Sequence, residues 1–162
     1  EWARLITQWA LSTYKKEKEK TAPYIKAAEK LFDRAVEDGW NADGAPGIVY
    51  TTDWDGKPVV HDRMHWVLAE AINTSAVLWH VTGKQKYAEA YAEFMEYLDE
   101  KVLDHEKGSW FHQMDRNNVP SNTVWPGKPD LYHAVQATLI PYYAPDHSIT
   151  VAVKEGKRIL EK

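Results

Sequence analysis

Apolar residues recur at helical spacing along most of this 162-residue chain, and two long stretches interrupt the rhythm. Trp2, Leu5, Ile6, Trp9 and Ala10 stand three and four apart, which predicts a helix from the first residues onward. The polar run "KKEKEKT" reads as a solvated helix end and turn, its charges mixed rather than of one sign. A second helix is predicted over about residues 22–36, with Ala27, Ala28, Leu31, Phe32 and Ala35 on one face and Gly39 closing it. Residues 40–60 break the pattern, and "IVYTT" and "KPVV" flank Asp55-Gly56, the signal of a tight hairpin. Asp62 is placed to cap a third helix carrying Met64, Val67, Leu68, Ala71, Ile72 and Leu78, and Gly83 ends it. A fourth helix, over about residues 85–103, buries Tyr87, Tyr91, Phe94, Met95 and Leu98. A second irregular stretch, "EKGSWFHQMDRNNVPSNTVWPGKP", leads to a fifth helix that begins near Asp130 and yields by Pro141. The tail "SITVAVKEGKRILEK" alternates at first like a strand and finishes like a short helix.

This order predicts an all-α chain whose strands are confined to short hairpins in the long loops. Both long loops spell Trp-x-Gly-Lys-Pro, once at Trp54–Pro58 and again at Trp125–Pro129. That is an internal repeat of a helical-hairpin unit with one decorated loop per unit. Repeated helix pairs build a solenoid or a closed toroid, and their long loops carry the binding site. Each copy is expected to stiffen a loop entering a helix whose first turn faces one central pocket. The length suits a single domain over residues 1–162, with residues 144–162 as a tail of open role.

Charge adds an exclusion. Twenty basic against 24 acidic residues, a net of −4, show no basic stripe for nucleic acid or an anionic membrane surface. No apolar run approaches a membrane span, and no signal peptide is read at the start. The chain has no cysteine, which excludes disulfides and thiolate metal sites and suits a reducing, cytoplasmic compartment. Eight tryptophans and nine tyrosines are a heavy aromatic load, which fills cores but also stacks on sugar rings. Glu1-Trp2-Ala3-Arg4-Leu5 is helical without methionine, cap or lead-in, as expected of a piece of something longer.

Two groups of residues could carry chemistry. His133 stands just inside the fifth helix, and an imidazole with an unperturbed pKa of about 6.5 suits moving a proton near neutral pH. The ordinary alternative is a histidine satisfied within a helix's first turn. Trp66 and Glu70, four apart, share one helical face, although Trp66 could equally be core. His61 and His65, also four apart, would form a zinc site with His133 as third ligand. A zincin requires Glu directly after its first histidine, and Asp62 stands there instead. No phosphate-binding glycine loop and no Ser-His-Asp arrangement is suggested.

The segments "VYTTDWDGKPVVHDRMHWVLAEA", "GSWFHQMD" and "WPGKPDLYHAVQATLIP" resemble the N-acylglucosamine 2-epimerase family, above all its aldose–ketose isomerase branch. "EWARLI" resembles the end of that family's Pro-Gly-His-x-x-Glu-Trp-x-x-Leu motif, and the likeness runs in order from Glu1 to Pro141. The resemblance implies an (α/α)6 barrel, of which this chain would be the C-terminal half, with the sugar pocket at the mouth. A histidine before Glu1, and an arginine, an asparagine and another histidine of the pocket, would then belong to the earlier half.

What the resemblance implies for function is aldose–ketose isomerisation of a monosaccharide, D-mannose and D-fructose being the expected pair. His133 would carry a proton between C2 and C1 through an enediol. Glu1 would hold the neighbouring imidazole or bind sugar hydroxyls. His65 and Trp66 would lie under the sugar, Arg63 and Glu70 would bind hydroxyls, and Trp110 and Gln113 would face the ligand. Gln113 departs from the glutamate common among related chains. Tyr132 and Trp125 would be pocket walls. The mechanism requires no metal and no nucleotide cofactor. The alternatives are a 2-epimerase, a non-catalytic carbohydrate-binding helical repeat, and an inactive half-barrel. An open half-barrel would expose apolar helix faces and self-associate.

Overall fold

The computed structural model describes residues 1–15, 17–129 and 131–159. The chain runs α1 (Trp2–Tyr14), α2 (Lys18–Gly39), β1 (Thr51–Thr52), β2 (Pro58–Val60), β3 (Arg63–Met64) and α3 (His65–Thr82). There follow α4 (Gln85–Tyr97), β4 (Gln113–Met114), β5 (Pro120–Ser121), α5 (Leu131–Leu139) and α6 (Ile149–Lys154). The all-α expectation holds. Helix α3 lies between α1 and α5 and packs on α4, while α1 packs on α2. Nearly every position of α3 from Leu68 to Leu78 is buried, so it is the axis on which the other helices assemble. Phe32 of α2 meets Tyr87 of α4 edge-on at 5.3 Å, and Phe94 meets Trp40 at 4.8 Å, closing the core beside α3. No helix among the described residues is long and apolar enough to cross a membrane.

Each long loop folds its own hairpin, β1 with β2 and β4 with β5, as expected. The pairing of β3 with β4, Arg63 opposite Met114 and Met64 opposite Gln113, was not legible from periodicity and ties the two loops together. It also displaces the expected cap of α3. With β3 intervening, Asp62 instead accepts a hydrogen bond from Gln113 Nε2 at 2.8 Å. The first backbone N–H of α3, on His65, donates to the His112 carbonyl at 3.1 Å.

Several boundaries differ from expectation for physical reasons. Helix α2 starts at Lys18, because the mixed charges of its first turn support a helix, Lys20 pairing with Glu17 at 2.6 Å. Gly83 ends α3 in the left-handed conformation as expected, with φ 67°. Gly39 has a different reason to be glycine: a Cβ there would lie 3.1 Å from Ile48 Cγ2. On α1 the predicted stripe holds at Ala10, which is buried, and at Ile6, which packs partly on the core, but not at its larger members. Ala3, Arg4, Thr7 and Ala10 are buried, whereas Trp2 is 71% exposed, and Leu5 and Trp9 are also exposed. Small residues let α1 approach its neighbours closely, and Arg4 turns inward to an acid on α3. On α2, Ala28 and Phe32 are buried while Ala27, Leu31 and Ala35 are exposed. Helix α5 gives way to a 3-10 turn, Ile140–Tyr142, at Pro141. The expected helix start at Asp130 and the last residues of the tail lie outside the described residues. The tail reverses the reading: the stretch that alternates like a strand forms α6, capped by Ser148 Oγ accepting from the Val151 N–H, while residues 155–159, read toward a short helix, form a turn and an isolated bridge.

One glycine holds the first loop against the core. Gly47 has φ 102°, and a Cβ on it would stand 2.6 Å from the Tyr97 ring. Gly47→Ala is expected to cost about 2 kcal/mol or more, lowering the melting temperature by about 4–8 °C in thermal denaturation followed by circular dichroism.

Candidate active site

The first turns of α3 and α5 converge. His65 opens α3, His133 is the third residue of α5, and their rings stand edge to face at 5.8 Å. That convergence is what the repeated loop motif suggested, and α3 lying against α5 produces it. Three further rings surround His133 or its neighbour. Tyr132 meets His133 edge-on at 4.9 Å, Trp66 tilts over it at 6.1 Å, and His112 meets His65 at 4.6 Å. The Nδ1 of His133 is buried without a hydrogen-bond partner among the described residues. His65 donates from Nδ1 to the His112 carbonyl at 3.3 Å, the same oxygen that receives its backbone N–H, which sets its tautomer.

On the other side of Trp66 lies a cavity of about 350 Å³ between α1, α2 and α3. Glu1, Tyr50, Trp66 and Glu70 line it, and Tyr50 braces Trp66 edge-on at 5.9 Å. Trp66 and Glu70 thus share a face, as their spacing of four requires. Glu70 is buried in a two-pronged ion pair with Arg4, Nε to Oε2 at 2.9 Å and Nη2 to Oε1 at 2.8 Å, and Arg4 Nη1 donates to Gln8 at 2.9 Å. Its carboxylate therefore holds α1 against α3 before it can meet any ligand.

Three expected ligand groups are placed elsewhere. Arg63 is 3% exposed at its side chain and pairs with Asp43, itself 1% exposed, at 2.6 and 2.9 Å. It also donates to the carbonyls of Pro46, Ala45 and His61, so it clamps the first loop and has no free edge for a hydroxyl. Gln113 is fully buried and uses both ends of its amide, donating to Asp62 and Thr123 and accepting from the Val124 N–H. Trp110 is buried in the core. The zinc alternative loses its geometry: His61 precedes α3, and its Nδ1 donates to Asp43 at 2.7 Å. Among the described residues no group of three or more acidic or histidine side chains is arranged to hold a metal ion.

Sequence reasoning missed His112, Arg4 and Asp43. His112 stands beside Gln113 in an extended segment, where side chains alternate, so a Gln113 directed to Asp62 leaves His112 to face α3. The two motif copies have also diverged. Gly56 and Gly127 keep the same left-handed turn, with φ 80° and 81°. Trp54 is 102% exposed, whereas Trp125 stacks on His112 at 5.7 Å and 15°. Lys128 of the second copy bonds to Asp104 and lies 4.5 Å over the Phe111 ring. That ammonium, helped by the backbone N–H groups of Lys107 and Glu106, holds the Asp104 carboxyl down to about 2.

Residues 1–137 match the family described as N-acylglucosamine 2-epimerase (GlcNAc 2-epimerase). The chain is 45% identical over 141 residues to a D-mannose isomerase of Pseudomonas cannabina pv. alisalensis, covering 87% of this chain and 34% of that protein. A crystal structure of D-mannose isomerase superposes with a TM-score of 0.69 at 25% identity, over 87% of this chain and 36% of the other. Cellobiose 2-epimerase from Spirochaeta thermophila DSM 6192 superposes with a TM-score of 0.67 at 14% identity, over 85% of this chain and 36% of that one, a likeness of fold alone. The chain spans about a third of the length of these relatives, whose helical hairpins form an (α/α)6 barrel.

The Asp43–Arg63 pair makes stability depend on acid. Hydrogen bonds from Arg63 hold the Asp43 carboxyl well below its ordinary range. Its stabilisation is therefore complete above the unfolded value of about 3.9 and is lost as pH falls below that. Asp43→Asn leaves Arg63 buried with its charge unpaired and is expected to cost about 3–5 kcal/mol at pH 7. Melting curves from pH 7 to 3 should show the variant already destabilised at pH 7 and less sensitive to acid than the native chain.

Proposed function

Because this chain belongs to the N-acylglucosamine 2-epimerase family, we propose that it carries the proton-transfer part of an aldose–ketose isomerase pocket, acting on D-mannose and D-fructose. The observation that supports this most is His133, half-buried among Trp66, Tyr132 and His65, with its Nδ1 buried and unpartnered among the described residues. Converting an aldose to a ketose removes the proton on C2 and returns one to C1, while a hydroxyl proton moves from O2 to O1. His133 Nε2 takes the C2 proton as general base and, now protonated, delivers it to C1 of the enediol. The surrounding rings fix the imidazole plane and keep bulk water from the intermediate. Trp66 offers a ring face to the sugar's apolar side, and Glu1 lies at the cavity where hydroxyls would extend. The absence of cysteine suits the reducing cytoplasm, the compartment we assign to it.

Proton NMR of D-mannose in D2O tests the assignment. The chain is expected to form fructose, carrying deuterium at C1 to the extent that the proton held by His133 exchanges with solvent before delivery, and His133→Ala to slow this by about 10²–10⁴-fold. Glucose in place of fructose would mean epimerisation at C2. A folded chain that converts neither sugar, or a variant as fast as the native chain, overturns the reading.

The same reading explains the exposed stripe of Trp2, Leu5 and Trp9 on α1 and of Leu131 and Val135 on α5. Apolar faces of this kind associate. Light scattering at rising concentration should give masses above 18.7 kDa, and a monomer throughout would contradict it.

A further inference from the structure

A cleft of about 430 Å³ lies between α1, α5 and the residues leading into α6. Its outer wall, residues 147–150, falls beyond residue 137, where the family match ends. That wall is ordered. The Ala144 N–H donates to the Lys157 carbonyl at 2.9 Å, the Ile159 N–H to Tyr142 at 3.0 Å, and Ala152 is fully buried.

The cleft is electrically neutral although charged residues border it. Glu70 and Gln8 take the Arg4 guanidinium. His147 donates from Nδ1 to Asp146 at 2.7 Å and accepts at Nε2 from Lys157, so both of its ring nitrogens are engaged. The lining also holds uncharged polar side chains: Gln8, whose amide oxygen is taken by Arg4, Gln136 and Thr150. Neither the Gln136 nor the Thr150 side chain makes a hydrogen bond among the described residues. Trp9 and Tyr132 add partly exposed ring faces. Amides and a hydroxyl between aromatic faces suit a neutral, hydroxyl-rich ring, whose apolar side stacks while its hydroxyls pair with the amides. Among the described residues that line the cleft, none offers a free cation to a negatively charged sugar. Through Tyr132 the cleft adjoins His133.

We propose that this cleft is a neutral-carbohydrate subsite, walled by residues 147–150, in which Gln8, Gln136 and Thr150 bind hydroxyls beside the proton-transfer histidine. The choice of ligand rests on the isomerase reading, but the subsite is tested by binding alone. Isothermal titration with D-mannose should give saturable binding that weakens between about threefold and tenfold in Gln136→Leu and in Thr150→Val. D-Mannose 6-phosphate should bind no tighter than mannose. Thr150 is exposed, so its variant reports on the subsite even if Gln136→Leu proves less stable by circular dichroism. Unchanged affinity in both variants, a tighter phosphate ester, or no mannose binding by the folded chain overturns the proposal. Turnover is not read here, so a chain that binds mannose in this way yet never forms fructose refutes the isomerase reading and leaves the subsite standing.

Discussion

The buried ion pair between Arg63 and Asp43 is the contact on which the arrangement of the loops depends. Asp43 lies in the first long loop, and Arg63 in the strand immediately before α3. Joining them costs two desolvated charges, which the geometry offsets through a two-pronged contact and three carbonyl acceptors on the same guanidinium. With Arg63 held, β3 has one course, and its pairing with β4 brings the second loop over the start of α3. His112 then lies against His65, and Trp125 stacks on His112. A charge pair outside the cluster of rings thereby sets which of them meet.

The second organising pair, Arg4 with Glu70, works one layer deeper. It joins α1 to α3 and shares its guanidinium with Gln8: Glu70 lines the space beneath Trp66, and Gln8 the cleft beside α5. Pairing with Glu70 keeps the charge of the guanidinium within the scaffold.

Helices were legible from their apolar spacing. Helix α3, with Gly83 at its end, α4, and the first hairpin around Gly56 were all readable. The existence of α1 was readable too, but not its buried face, because the reading gave Trp2, Leu5 and Trp9 the core, while Ala3 and Thr7 join Ala10 there and Arg4 is drawn in by an acid sixty-six positions away. For the same reason Arg63, Trp110 and Gln113 were read as facing a ligand. Each is a polar or amphipathic residue near a motif, and only the fold shows that Asp43, the core and Asp62 reach them first. His112 could have been found by alternation, since a neighbour committed inward sends it the other way. His133 was legible through the resemblance and its place inside a helix, but its ring neighbours depend on the approach of α3 to α5. No periodicity encodes that approach.

The burial of α3 on all sides has a consequence for synthesis. As the chain emerges from its amino end, α1 and α2 can pair at once, but α3 then appears with its far side uncovered. Its remaining partners, α4 and α5, start at Gln85 and Leu131. Through that interval Leu68, Ile72, Val77 and Leu78 lack the cover that α4 and α5 give them in the finished fold. The helix that forms the axis of the finished fold is thus also the one most in need of protection while the fold is incomplete.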